Sequence, residues 1–255
     1  MLLAINIGNS STSLGLYAEG KWVERWRIHT NVDRTADEHR VLFRSLLAEE
    51  GFAVDRISRS VLCSVVPPLT GTVSEVVGGL TGSQPLLVGP GIRTGIRIRT
   101  DNPAEVGADL VADAVAGYAR FRSSCIVADF GTALSFTAVA EPGDLMGVAI
   151  SPGLAYATEA LAERTAQLPV VQLKMPPSAI GKNTTHSIQA GVVFGYLGLV
   201  EALIDRIRAE LPPPVKAVAT GGQSGIIAPL TDRFDAIDPW LTLEGLRLIA
   251  ERNPP

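Results

Sequence analysis

Cysteine is nearly absent: Cys63 and Cys125 are the only two in 255 residues, each inside an apolar, strand-like run. Two such thiols build neither a disulfide framework nor a C-x-x-C redox pair, so both are expected to be inert core residues in a reducing compartment. Histidine is scarce as well. His29, His39 and His186 have no metal-ligand spacing, which leaves them structural or surface roles. Basic charge is not in excess. The 22 Lys and Arg against 26 Asp and Glu give a net charge of -4, and this argues against nucleic acid as the main ligand. No uninterrupted apolar run approaches the ~18 residues of a membrane span. Leu2 already enters a strand with no basic segment before it, so no secretory leader is expected and the setting reads as cytoplasmic. Two nucleotide fingerprints are missing too. Gly181-Lys182-Asn183-Thr184 resembles the tail of a P-loop, but Pro176 stands where its first glycine belongs, and no strand carries G-x-G-x-x-G.

What is present is core material, with 46% hydrophobic and 19% charged residues, enough for one large domain or two ordinary ones. One turn occurs twice. Ala4-Ile5-Asn6-Ile7-Gly8-Asn9-Ser10-Ser11 is echoed by Val127-Ala128-Asp129-Phe130-Gly131-Thr132-Ala133-Leu134, at an offset of ~123 residues. Each copy is an apolar strand ending in an amide or carboxylate, then a glycine, small polar residues and a second strand. Such a turn aims N–H groups and hydroxyls into an opening, which is the chemistry of a phosphate cradle. Either turn alone reads equally well as an ordinary hairpin; repetition in register favours the cradle. Two cradles facing each other across a cleft would make an ATP-handling enzyme of two like halves.

The pattern predicts strands at 2–7, 11–17 and 21–29, then a helix opening at Thr35-Ala36-Asp37-Glu38, a capping box. A strand at 60–66 stops at Pro67-Pro68, before a helix over 69–79 and a strand at 85–88. Residues 89–103 read as a loop arm, in which Arg93, Arg97 and Arg99 suit a solvated edge better than an anion site. A helix follows over 104–120. The second half repeats the plan, with strands at 124–129, 134–140 and 145–151 and helices at 156–167 and 184–210. A strand at 215–220 ends in Gly221-Gly222, and the last helix covers 241–252. The fold expected is α/β, two duplicated halves, 1–118 and 119–255, each a mixed sheet flanked by helices, with the last helix free to pack back on the first. Along 104–120, Glu105, Asp109 and Asp113 would share one face. A solvated stripe and a proton acceptor at a helix start are both open readings. The apolar stripe of the long helix (Val192, Val193, Tyr196, Leu199, Val200 and Leu203) is a candidate dimer face, with an intrachain core as the equal alternative.

Together with Ser64-Val65-Val66-Pro67, Asn102-Pro103-Ala104-Glu105-Val106-Gly107-Ala108-Asp109, Ile150-Ser151-Pro152-Gly153 and Thr220-Gly221-Gly222, these motifs resemble the type III pantothenate kinase family. That family lies within the actin/hexokinase/heat-shock-ATPase superfamily, with duplicated ribonuclease-H-like domains. The resemblance implies ATP-dependent phosphorylation of pantothenate, the first step to coenzyme A, by a homodimer using Mg2+ and a monovalent cation (K+ or NH4+). It implies Asp109 as general base and Asp129 beside the monovalent cation. Asn6, Gly8, Asn9, Ser10, Gly131, Thr132 and Gly221 would hold ATP, and Gly107, Ala108, Leu110 and Thr184 would stand at the substrate. Neither membrane nor nucleic acid is implied. Three positions depart from the family pattern: Asn6 replaces an aspartate, Leu110 an arginine that binds the substrate carboxylate, and Thr137 an acidic residue. These departures open a second reading, an impaired nucleotide-binding paralogue with a regulatory role like that of transcription accessory factors. A third is a kinase for an acceptor without a carboxylate.

Overall fold

Alternation builds the first sheet. In the computed structural model, which describes residues 1–254, β1 (Leu2–Ile7), β2 (Ser11–Ala18) and β3 (Lys21–His29) form an antiparallel meander. β4 (Arg59–Ser64) joins β1 in parallel, and the short β5 (Leu86–Leu87) joins β4, for the order β3-β2-β1-β4-β5. Leu3, Ile5 and Ile7 point to one face, where α1 (Ala36–Glu49) and α2 (Pro67–Thr81) bury Phe43, Leu47, Val73 and Val77 against them. The capping box at Thr35 is present: Thr35 N donates to Glu38 Oε2 at 2.7 Å and Glu38 N to Thr35 Oγ1 at 3.4 Å. Pro67 and Pro68 do not precede α2, as expected, but occupy its first turn, where a missing N–H leaves nothing unsatisfied.

On the other face of that sheet Gly15 makes room for a helix. A Cβ at Gly15 would meet the Trp22 ring at 2.5 Å and Leu243 Cδ1 at 2.9 Å, so glycine is what admits α7 (Leu241–Arg252). Trp22 Nε1 also donates to Glu244 Oε2 at 2.9 Å. α3 (Ala108–Phe121) lies beside α7, with the Ala112 carbonyl pressed against Gly245. One compact unit thus comprises Met1–Ile96, Asn102–Ala116 and the stretch from Thr242 onward; the other holds Arg97–Asp101 and Gly117–Leu241.

The second unit repeats the topology of the first. β7 (Ser124–Phe130), β8 (Ala133–Ala140) and β9 (Asp144–Pro152) form the meander, β10 (Val215–Thr220) lies parallel to β7, and β11 (Ala236–Ile237) parallel to β10. Read outward from β9, the order β9-β8-β7-β10-β11 matches β3-β2-β1-β4-β5, the duplication seen in the repeated turns. β6 (Arg97–Ile98) is an addition at the β9 edge, inside what the pattern reads as loop. There Arg97 Nε and Arg99 Nε bind Asp144 at 2.6 and 3.2 Å, so these arginines are an ion-paired edge. α4 (Leu154–Arg164), α5 (Thr184–Glu210) and the short α6 (Ser224–Ile227) complete the unit.

α5 (Thr184–Glu210) bears on two expectations. By length and composition it is long and apolar enough to cross a membrane, which a count of unbroken runs misses because Gln189 and Glu201 interrupt it. Core helices of globular proteins pass the same test, and Val193, Val200 and Ile204 of α5 are fully buried in the second core beside Phe130 and Phe136. For Val193 and Val200 that burial favours the intrachain alternative, while Tyr196, Leu199 and Leu203 are only partly buried. The helix expected from 104 begins only at Ala108. Asn102 caps a separate turn, Pro103–Glu105, and the chain is extended at Val106. Glu105, held by Asn102 Nδ2 at 2.7 Å, therefore leaves the face of Asp109 and Asp113.

Candidate functional site

In the first unit the turn after β1 is braced from beneath. Gly8 N donates to Ser11 O at 3.0 Å, while Thr30, just past β3, donates its N–H to Ser10 O at 3.0 Å and its hydroxyl to Gly8 O at 2.8 Å. Asn9 and Ser10 stand exposed at the tip. One strand residue earlier, Asn6 is in register with Ser13 on one side and Cys63 on the other. Its Oδ1 is buried and has no hydrogen-bond partner, an unmet acceptor that carries a desolvation cost of ~1–3 kcal/mol.

Asp109 lies in the first turn of α3. Its Oδ1 accepts from Leu110 N at 2.8 Å and sits 2.5 Å from where a Cβ on Gly107 would be, so a side chain at 107 would displace the carboxylate. Burial pushes the Asp109 carboxyl above the ordinary aspartate range, against the pull of the backbone N–H groups of Leu110 and of Asp109 itself. A carboxylate raised by desolvation is a better proton acceptor than one in water. Burial, and then the charges of Asp109 and Asp113, push the Cys63 thiol well up. Cys63 thus links the neighbourhoods of Asn6 and Asp109. Val65 links them again, its N–H on Ile7 O at 3.0 Å and its Cγ1 3.6 Å from the Gly107 Cβ position. Asp113 is no part of a solvated stripe. It is fully buried and accepts from Thr242 Oγ1 at 2.7 Å, which ties α3 to α7.

In the second unit Asp129 is in register with Ser135 and Thr220. Gly221 has φ +88°, and a Cβ there would overlap Asp129 Oδ1 and the Phe130 carbonyl, so position 221 requires glycine on both counts. Gly131 N donates to Ala133 O at 3.1 Å, leaving Thr132 exposed. Two further residues hold this turn. Gly153 donates its N–H to Thr132 O at 3.0 Å and lies against the Gly131 and Thr132 carbonyls; Gln223 N donates to Phe130 O at 3.2 Å. Gly153 closes the Ile150-Ser151-Pro152-Gly153 motif with no role expected of it, and no sequence pattern marks Gln223 or Thr30. The signal available was the glycine after a strand, since only bare backbone fits there. Thr137 and Thr220 are buried, with hydroxyls that have no partner. Thr184 is exposed at the start of α5, where Asn183 Oδ1 caps His186 N at 2.8 Å.

The first unit therefore gathers Asn6, Gly8, Asn9 and Ser10 with Gly107, Ala108, Asp109 and Leu110, and the second gathers Asp129, Gly131, Thr132 and Gly221. Thr184 stands exposed at the start of α5. Among the described residues no group of three His, Cys, Asp or Glu could hold a metal alone. In the second unit the Asp129 carboxylate and the Thr220 hydroxyl, in register on neighbouring strands, are oxygen donors that suit a hard cation whose other ligands are phosphate and water. The two cysteines are free and buried, and burial pushes Cys125 up to about 12.

A family model described as type III pantothenate kinase matches residues 2–206. The type III pantothenate kinase of Geobacter sulfurreducens is 45% identical over 99% of both chains. That of Moorella thermoacetica is 46% identical over 99% of this chain and all of its own. A solved structure of a conserved Baf family protein from Campylobacter jejuni superposes with TM-score 0.62 at 17% identity, covering 99% of this chain and 98% of that one; this likeness concerns the fold. With duplicated topology, glycine turns and a near-complete match to its relatives, the chain belongs to the type III pantothenate kinase family.

Proposed function

We propose that this chain phosphorylates pantothenate with ATP, giving 4'-phosphopantothenate at the entry to coenzyme A. The observation that carries the reading at residue level is Asp109: a buried carboxylate of raised proton affinity at a helix start, beside a glycine that leaves it room. The substrate hydroxyl oxygen forms a bond to the γ-phosphorus while the bond from that phosphorus to the β–γ bridging oxygen breaks, and ADP departs. Asp109 accepts the hydroxyl proton and passes it to water. The turns at Gly8–Ser10 and at Gly131–Thr132 with Gly221 bind phosphate oxygens, so that positioning and charge neutralisation supply the rate. Mg2+ bound with the nucleotide, and K+ or NH4+ beside Asp129, would neutralise charge building on the phosphates. Gly107, Ala108, Leu110 and Thr184 contact the acceptor.

An ATP-consumption assay with Mg2+ and K+, run with and without pantothenate, tests this. ADP release that depends on pantothenate is expected; release at background with both substrates bound would reject it. Asn6 and Leu110 favour a second reading, a nucleotide-binding paralogue with a regulatory role, and the same assay decides between the two.

We further assign two actin-like halves, 1–118 and 119–255, with the final helix returned to the first, and a homodimer in the cytoplasm. Exposed Ile150, Tyr156, Val170 and Ile180 in the second unit, and the bare Gly191, Gly195 and Gly198 on α5, support a partner surface there. Sedimentation should give twice the 26.9 kDa chain mass; a single-chain mass at micromolar concentration would remove the dimer.

A further inference from the structure

Asp109 can meet a substrate hydroxyl only if α3 is held at one height and one rotation. One turn further along the same face stands Asp113, fully buried, whose Oδ1 accepts from Thr242 Oγ1 at 2.7 Å. Next to it in the chain, the Ala112 carbonyl is pressed on Gly245, where a Cβ would overlap the Ala112 backbone. The two contacts do different things. Close packing at Gly245 sets how near α3 comes to α7, while the directional hydrogen bond from Thr242 resists rotation of α3 about its own axis. Both partners lie near the start of α7.

α7 is itself fixed on the first sheet. Leu243 fills the space that Gly15 leaves on β2, and Trp22 Nε1 on β3 donates to Glu244 Oε2 at 2.9 Å. Just past the other end of the helix, the carbonyl of Asn253 accepts from Arg59 Nη2 on β4. The Asn253 side chain also takes Arg93 N on Oδ1 at 3.0 Å and gives Nδ2 to Arg93 O at 2.9 Å. A helix bound at both ends is a rigid reference, and a reacting group keeps its geometry only when the elements behind it are locked in this way. Without the Thr242 donor, a buried Asp113 oxygen loses its partner and α3 must shift to find another.

We propose that Thr242 is a positioning residue for the reaction: through Asp113 it sets the rotation of α3 and so aims the Asp109 carboxylate at the substrate hydroxyl. This rests on Asp109 as general base in the function proposed above. Thr242→Val keeps the shape and removes the donor. It should lower kcat for pantothenate phosphorylation about 10- to 100-fold, the cost of a reacting group misplaced by roughly 1 Å. The KM for ATP should stay within about threefold of the parent's. Thr242→Ser, which restores the hydroxyl, should return kcat to the parental value. In an Asp109→Asn background Thr242→Val should cost nothing further, because the group it aims is gone. Parental kcat in Thr242→Val overturns the proposal. So does an equal loss in both backgrounds, or a KM for ATP that rises as far as kcat falls, since either describes a chain merely loosened. Should Thr242→Val not fold, Thr242→Cys takes its place. A thiol is a weaker donor of similar size, so kcat should drop several-fold, and parental kcat there overturns the proposal. Failure of the general-base reading has its own signature: Asp109→Asn would turn over like the parent and remove both ideas, whereas additive losses remove the role of Thr242 alone.

Discussion

Asp109→Asn should reduce pantothenate phosphorylation by about 10²–10⁴, the range a positioned general base contributes, while ATP still binds. The same variant should be more stable than the parent at neutral pH. Burial raises the folded-state proton affinity of Asp109, so the folded chain holds this proton more tightly than the unfolded one. Stability then falls as pH climbs from the ordinary aspartate range through the raised one, and above it the full penalty of a buried charge is present. Asparagine removes that penalty and keeps an oxygen for Leu110 N–H. At acid pH, where aspartate is protonated in both states, the two proteins should melt together. Melting curves across pH and a rate profile falling on the acid side above the usual carboxylate range would check this. A variant with parental turnover would remove Asp109 from the chemistry.

The double change Asn6→Asp with Leu110→Arg should raise kcat/KM for pantothenate by one to two decades. Leu110 is half-buried beside Asp109 and offers a substrate carboxylate no donor, and a charged hydrogen bond is worth ~1.5–3 kcal/mol. Asn6 presents a buried, unmatched amide oxygen at the end of β1. An aspartate there would add a charge to a neighbourhood that already contains Asp109 and Asp113. Asn6→Asp alone should therefore melt lower without nucleotide and recover with Mg2+ and ATP, which bring the balancing cation. A double variant no faster than the parent, or a parent already as fast as its relatives, would show that both departures are silent.

Much of this molecule was legible in its sequence because its signals are long. β1 to β3 alternate over enough residues for the period to be plain, α1 announces itself through Thr35 and Glu38, and α7 appears at its expected span. Where the reading slipped, short range was the reason. β6 and β11 have two residues each, too few to show alternation, and exist only because β9 and β10 offer free edges. The late start of α3 turned on Asn102 capping a turn of its own. The stripe of α5 was visible, but periodicity shows that a face is apolar without saying what covers it. At the site, the glycines beside Asp109 and Asp129 were readable as bare backbone. The roles of Thr30, Gly153 and Gln223 were not, since Thr30 and Gly153 meet turns distant in sequence and Gln223 acts through a main-chain bond that most residue types could make.

The final helix has a consequence for how the protein comes into being. Gly15 and Trp22 are made early, yet the leucine and glutamate they receive, Leu243 and Glu244, leave the ribosome more than 220 residues later. Until then the part of the N-terminal sheet at Gly15 and Trp22 lies uncovered, while every strand of the second sheet is already available to pair. Synthesis order and assembly order thus run opposite ways here, and the half that starts the chain is the last to be sealed.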